Sequence, residues 1–210
     1  NLMSDKNFDV VVYGATGFTG KLVVEYMLNQ YGSDKSISWA MAGRSHEKLI
    51  AVRDALGVSP DIPLLTVDSD DEESIKQMVQ QAQCVLTTVG PYQLYGPNIV
   101  KHCVANGTDY VDLCGEPGWM HEMINEYAEE AKDSGARIVF SCGFDSIPFD
   151  LGVYFLQKEV IAQHGIPASN IRGRVRAMNG EFSGGTAASL SATMASLKQK
   201  PELFAVLANP

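Results

Sequence analysis

Val10-Val11-Val12-Tyr13-Gly14-Ala15-Thr16-Gly17-Phe18-Thr19-Gly20 reads as a buried strand, a glycine turn and the opening of a helix. The β-branched run before the turn suits a strand covered on both faces, as in parallel sheets. After the turn Phe18, Leu22, Val23, Tyr26 and Met27 recur at helical spacing. A phosphate needs backbone N–H groups aimed at it and no Cβ in the way, and glycines at a helix N-terminus supply both. The spacing GxxGxxG is one residue longer than the standard dinucleotide fingerprint. Gly14, Ala15, Thr16, Gly17, Phe18, Thr19 and Gly20 are therefore expected to bind a dinucleotide; the plainer alternative is a tight turn without a ligand.

Short apolar runs and helical patterns keep alternating downstream, the mark of βαβ units. Strands are expected at Trp39–Ala42, Ile62–Val67, Val85–Val89, Tyr110–Leu113 and Arg137–Ser141. Helices are expected at Glu47–Leu56, from Asp70-Asp71-Glu72-Glu73 onward, and at Ile99–Val104 and Met120–Ala131. Six strands of this kind predict an α/β fold with a doubly wound parallel sheet, the Rossmann arrangement. Then the pattern changes: Ile147–Val160 reads as helix, Ile171–Ala177 as an alternating strand, and Ala187–Leu197 as helix. The expected division is a dinucleotide-binding domain over residues 1–145 and the beginning of a truncated second α/β domain, for substrate or dimerisation, over 146–210.

The 210 residues carry 16 Lys+Arg against 25 Asp+Glu, a formal net charge of −9, which argues against a nucleic-acid footprint. No apolar run is long enough for a membrane span, and no secretory signal pattern opens the chain, where Asn1-Leu2 before Met3 reads as an addition. Cys84, Cys103, Cys114 and Cys142 lack CxxC spacing and are expected to be reduced, in a cytoplasmic protein. His46, His102, His121 and His164 have no ligand spacing, so no metal is expected.

The choice of dinucleotide falls at the end of the second strand, where NAD-binding folds place Asp or Glu on the ribose 2′-OH. Ser36 to His46 contains no carboxylate; Gly43-Arg44-Ser45 stands there, with Lys48 one turn on. Arg44, Ser45 and Lys48 suit the 2′-phosphate of NADP through charge-assisted hydrogen bonds, so NADP is expected rather than NAD. Val89, Gly90 and Pro91, followed by Tyr92, stand at the end of the fourth strand, where a small backbone either admits the nicotinamide half or makes an ordinary strand-ending turn. Asp68, past the third strand, either faces the adenosine or caps the acidic helix after it.

Two readings of the catalytic end compete. Ser141, Tyr154 and Lys158 have the spacing of the Ser-Tyr-Lys set of short-chain dehydrogenases, in which lysine lowers the tyrosine pKa for proton transfer. Tyr31 and Lys35 match the same YxxxK pattern in a loop, and the Asn-Ala-Gly signature of that family is absent. The stronger resemblance is to the saccharopine dehydrogenase-like oxidoreductases, in the branch with trans-acting enoyl reductases. It rests on the glycine turn, Ala42-Gly43-Arg44-Ser45, Val89-Gly90-Pro91-Tyr92 and Gly143-Phe144-Asp145-Ser146-Ile147-Pro148-Phe149-Asp150-Leu151-Gly152. The resemblance implies a Rossmann domain, an α/β second domain, a substrate cleft between them, and a longer chain than this one. The glycine turn departs from that of the saccharopine reductases of lysine metabolism, which puts saccharopine itself in doubt as substrate.

On this reading NADPH gives hydride to a C=C, C=N or C=O group of a small-molecule or lipid-like substrate, in a protein that is possible as a homodimer. A non-catalytic NADP sensor or scaffold is the alternative from another class. Tyr92, Glu116, Asp145 and Ser146 are the catalytic candidates. Each also has a structural reading: Asp145 or Ser146 as a helix cap with Pro148 in the first turn, and Glu116 as a first-turn acid. Ser183-Gly184-Gly185-Thr186 opens a helix that either receives an anionic or carbonyl group or packs closely through its small residues.

Overall fold

The computed structural model describes residues 6–32, 36–180 and 183–208. Its sheet has six parallel strands: β1 (Phe8–Tyr13), β2 (Trp39–Gly43), β3 (Leu64–Thr66), β4 (Ala82–Thr87), β5 (Asp109–Asp112) and β6 (Ile138–Val139), in the spatial order β3-β2-β1-β4-β5-β6. This is the doubly wound order, with its switch point between β1 and β4, where open α/β sheets bind ligands.

Helices α1 (Phe18–Tyr31) and α2 (His46–Leu56) cover one face, and α3 (Glu72–Gln81), α5 (Pro97–Ala105) and α6 (Pro117–Ser134) cover the other. A four-residue helix, α4 (Tyr92–Tyr95), lies between β4 and α5. The side-chain alternation of β1 sorts the core. Val11 and Tyr13 join Ile75, Val79, Ile99 and Tyr110, while Val12 joins Val24, Met41 and Leu49 on the opposite face. Burying both faces in this way accounts for the unbroken apolar run at the start of the chain.

Local chemistry sets the helix ends. Ser45 Oγ accepts from the Lys48 N–H to cap α2, and Gly57 ends that helix at φ 70°. Asp71 caps α3 by accepting from the Glu73 N–H.

Two expected strands are shorter than their apolar runs. β3 spans Leu64–Thr66 rather than Ile62–Val67, because Pro63 can accept from Met41 but has no N–H to donate. β6 stops at Val139 rather than Ser141: at the sheet edge the chain turns, Ser141 takes φ 58°, and its N–H goes to the Asp112 carboxyl. Ile171–Ala177 forms no strand. Those residues are mostly exposed and no neighbouring strand receives their backbone, so alternation alone does not make one.

After the sheet come α7 (Ile147–His164), α8 (Gly184–Gln199) and α9 (Leu203–Ala208). Helix α7 has no buried residue and leaves Phe149, Leu151, Tyr154, Phe155 and Leu156 exposed. Ser146 stands at its N-cap without a side-chain capping bond, so the expected cap is replaced by backbone bonds from Ser146 and Ile147 to the Gly143 carbonyl. Helices α8 and α9 return to α6. Leu197 and Leu203 are buried there, and Lys200 pairs with Glu122.

Asp112 ties β5 to β6. Its carboxyl accepts from the Tyr110 hydroxyl (2.7 Å), the Cys114 N–H (2.9 Å) and the Ser141 N–H (2.8 Å). Burial pushes its pKa above the usual 3.8, against the pull of these bonds. The folded state therefore holds this proton more tightly than the unfolded state. The group's contribution to stability is full below 3.8 and is lost as pH rises through the raised folded value. Asp112→Ala should cost about 3 kcal/mol or more, since two N–H groups and a hydroxyl lose their acceptor. Asp112→Asn should cost less and flatten this part of the pH dependence; urea denaturation from acidic to neutral pH measures both.

Candidate functional site

The tight strand–turn–helix at the switch point comes first. Gly14 has φ 90°, and a Cβ there would lie 2.6 Å from Thr88 Oγ1. Gly20 packs its backbone on the turn itself: a Cβ there would lie 2.0 Å from the Gly14 carbonyl oxygen. With both Cβ positions forbidden, the first turn of α1 comes directly up to the end of β1. The first N–H groups of a helix have no partner within it, so this end of α1 faces outward as an anion-binding edge.

A cleft of about 690 Å³ opens over this edge. Gly14, Thr16, Gly17, Phe18, Thr19 and Gly20 form its floor, Arg44, Ser45, Lys48 and Asp68 one end, and Val89, Gly90 and Pro91 the other. All the expected cofactor residues line it except Ala15. That residue is fully buried under the turn, with its N–H donating to the Ala42 carbonyl.

The cleft also takes in residues that pattern reading missed: Tyr13, Gly43, Ser69, Thr88 and Tyr95. Their signal was adjacency, since Tyr13, Ser69 and Thr88 each flank a residue already singled out. Ser183 and Gly185, from the start of α8, border the cleft as well.

Electrostatics divide the cleft. Arg44 is exposed and makes no ion pair among the described residues, so its guanidinium is free for an incoming anion. Asp68 points much of its bonding inward: its Oδ1 accepts from the Asp70 N–H, and its backbone meets Ser74 Oγ. Tyr13 lies beneath, buried, with its phenol pushed up to about 12 by burial and by the Asp68 charge, against a hydrogen bond with Ser69. It therefore keeps its proton at neutral pH.

The four catalytic candidates are not among the cleft's lining residues. Tyr92 is buried, its ring stacked on Trp119 at 5.8 Å and its hydroxyl donating to the Thr87 carbonyl (3.4 Å). Burial drives its phenol far above the usual range. Glu116 is 2% exposed, and its two oxygens accept from the Tyr92 and Gln93 N–H groups. Asp145 lies beside Gly115 and Gly143, and Ser146 heads α7.

The Ser-Tyr-Lys alternative does not assemble. Ser141 Oγ donates to the Cys114 carbonyl (2.7 Å), Tyr154 is 63% exposed, and Lys158 Nζ sits over the Tyr154 ring, 5.7 Å from its centroid, rather than at its hydroxyl. None of the three lines the cleft. In the second YxxxK match, Ser33, Asp34 and Lys35 lie outside the described residues. Among the described residues no cluster of His, Cys, Asp or Glu could hold a metal ion, and no helix is long and apolar enough to cross a membrane.

The site fits a dinucleotide phosphorylated on its adenosine ribose. Its floor is backbone that a Cβ would fill, and the exposed Arg44 guanidinium with Ser45 and Lys48 stands where a 2′-hydroxyl reader would carry a carboxylate.

Comparison with known proteins agrees. Residues 10–139 match the family described as saccharopine dehydrogenase NADP binding domain. A Caenorhabditis elegans protein named lipid droplet localized protein is 46% identical over 157 residues, 72% of this chain and 36% of its own. A Mycobacterium tuberculosis trans-acting enoyl reductase is 40% identical over 209 residues, 99% of this chain and 49% of its own. The chain spans about half the length of the mycobacterial relatives it matches. Saccharopine dehydrogenase from Saccharomyces cerevisiae shares the fold, with a TM-score of 0.58 at 19% identity over 75% of this chain and 32% of its own. The chain thus belongs to the family of saccharopine dehydrogenase NADP-binding domains, whose cofactor the basic end of this cleft fits.

Proposed function

We propose that the chain is the cofactor-holding part of an NADP-dependent oxidoreductase that reduces a C=C, C=N or C=O group. The observation that carries this reading is the continuity of the cleft, from the exposed Arg44, over the glycine turn, to the small backbone of Val89–Pro91. When bound, NADPH supplies the hydride. The chain's own residues bind and orient. Arg44 and Lys48 neutralise the 2′-phosphate, and the Ser45 hydroxyl, whose oxygen already caps α2, still has a proton to donate to it. The helix N-terminus receives the pyrophosphate, and Val89, Gly90 and Pro91 offer a close backbone surface to the reactive half. No cleft residue is required as a strong acid, because the cofactor carries the chemistry and the protein supplies orientation.

The enoyl reductase relatives support a C=C acceptor, and the name of the worm relative supports a lipid-like one. We assign residues 1–145 to the dinucleotide-binding domain and 146–210 to the opening of a second domain, a reading supported by the exposed apolar surface of α7. That surface also supports a homodimer. Four free cysteines support a reducing compartment, the cytoplasm.

Arg44→Ala should weaken NADPH binding about tenfold, a loss of about 1.4 kcal/mol, and leave NADH binding unchanged; calorimetry of both nucleotides measures it. Equal effects on the two would remove the 2′-phosphate assignment. In a chain extended to the length of its relatives, Tyr154→Phe should leave NADPH oxidation across an enoyl and carbonyl panel unaltered. Nucleotide binding without oxidation of NADPH by any acceptor would favour the sensor reading instead.

A further inference from the structure

Glu116 is a nearly fully buried carboxyl. A fully buried carboxyl is costly unless its oxygens find donors, and these oxygens find two: the N–H groups of Tyr92 and Gln93, each at 2.9 Å. Those are the first two N–H groups of α4, which have no partner within the helix. The helix is only four residues long and has no side-chain cap of its own, since Pro91 stands at its N-cap. Glu116 caps it from across the fold, 24 residues away.

The capped residues directly follow Val89, Gly90 and Pro91, which line the reactive end of the cleft. Around them Tyr92 is stacked on Trp119, and its hydroxyl reaches back to the Thr87 carbonyl of β4. Gln93 Oε1 accepts from Ser196 Oγ of α8, so the same turn is held on its far side too. The 89–91 loop is therefore fixed at its β4 end by the sheet and at its α4 end by the Glu116 carboxyl together with these side-chain contacts.

We propose that Glu116 is a positioning residue: by accepting from the Tyr92 and Gln93 N–H groups, it sets the Val89–Pro91 backbone against which the reactive half of NADP lies. This rests on the reading of the cleft given under the proposed function, and it assigns Glu116 no contact with cofactor or substrate. A glutamine in its place keeps one acceptor and turns an NH₂ group toward the other N–H. An aspartate is one methylene short of both.

The test titrates the 210-residue chain, Glu116→Gln and Glu116→Asp with NADPH and with adenosine 2′,5′-bisphosphate, which carries the adenosine half alone. Calorimetry reads both affinities, and the fluorescence of bound NADPH reads the surroundings of its reduced ring. In both variants NADPH affinity should fall about tenfold and the fluorescence enhancement should shrink, while bisphosphate affinity stays within about twofold of the parent's. Unchanged NADPH affinity would overturn the proposal, and so would an equal loss for both ligands, which would mark Glu116 as a general support of the fold. If the parent chain binds the bisphosphate as tightly as NADPH, the 89–91 loop adds nothing to binding; the proposal falls while the adenosine end stands. If the parent binds neither, the reading of the cleft itself is wrong and the proposal goes with it.

Discussion

The structure depends on one close approach, the α1 backbone lying against the end of β1. The Gly14 carbonyl oxygen occupies the space that a Cβ at Gly20 would need, and Gly14 itself takes a positive φ. This contact aims the α1 N-terminus along the sheet edge rather than away from it. It is also locked from the neighbouring strand: the Thr88 N–H donates to the Tyr13 carbonyl (2.9 Å), and the Thr88 hydroxyl reaches Gly14 O (3.3 Å). The end of β4 and the glycine turn are thus one unit. The two ends of the cleft, Arg44 on β2's side and Val89–Pro91 on β4's side, take their relative positions from it.

The fold was legible because its determinants are local. A β-branched run, a glycine turn and a periodic apolar face each lie within about a dozen residues, the range in which period and turn chemistry can be read. Repeated along the chain, they define the βαβ series. Where determinants are not local, the reading falters. The shortened β3 and β6 depend on what lies beside them, Pro63 facing Met41 and Asp112 reaching Ser141. Ile171–Ala177 has the alternation of a strand but no sheet edge to join. Alternation states which face could be buried; it does not supply a partner.

The cleft shows the same divide. The glycine turn, Arg44, Ser45 and Lys48 could be named from sequence as cleft residues because a glycine turn after a strand and charge at a fixed offset are local patterns. Tyr13, Ser69 and Thr88 were passed over because each fits a structural role in its own segment. Only the sheet brings them together. Buried acids mislead in the opposite direction. Glu116, conspicuous beside Gly115 and Pro117, reads as a functional carboxyl, yet in space both of its oxygens meet backbone N–H groups at another helix's start. Asp112, within a strand, draws no notice in sequence and holds three donors, two from its own strand and the turn after it and one from the segment after β6.

This division follows from what each part of the chain must do. A cofactor has the same phosphates and the same ribose in every protein that binds it, so the residues that hold it fall into recurring local patterns. The reacting group of a substrate has no such constancy, and in this chain the polar residues nearest to that role, Tyr92 and Glu116, are spent on holding backbone. Tyr92 is buried against Trp119, and Glu116 accepts from two N–H groups at the start of α4. The described part of the chain offers charge at one end of the cleft, a helix terminus in the middle, and a short turn at the other. Hydride transfer is sensitive above all to the distance and alignment of the two reacting carbons.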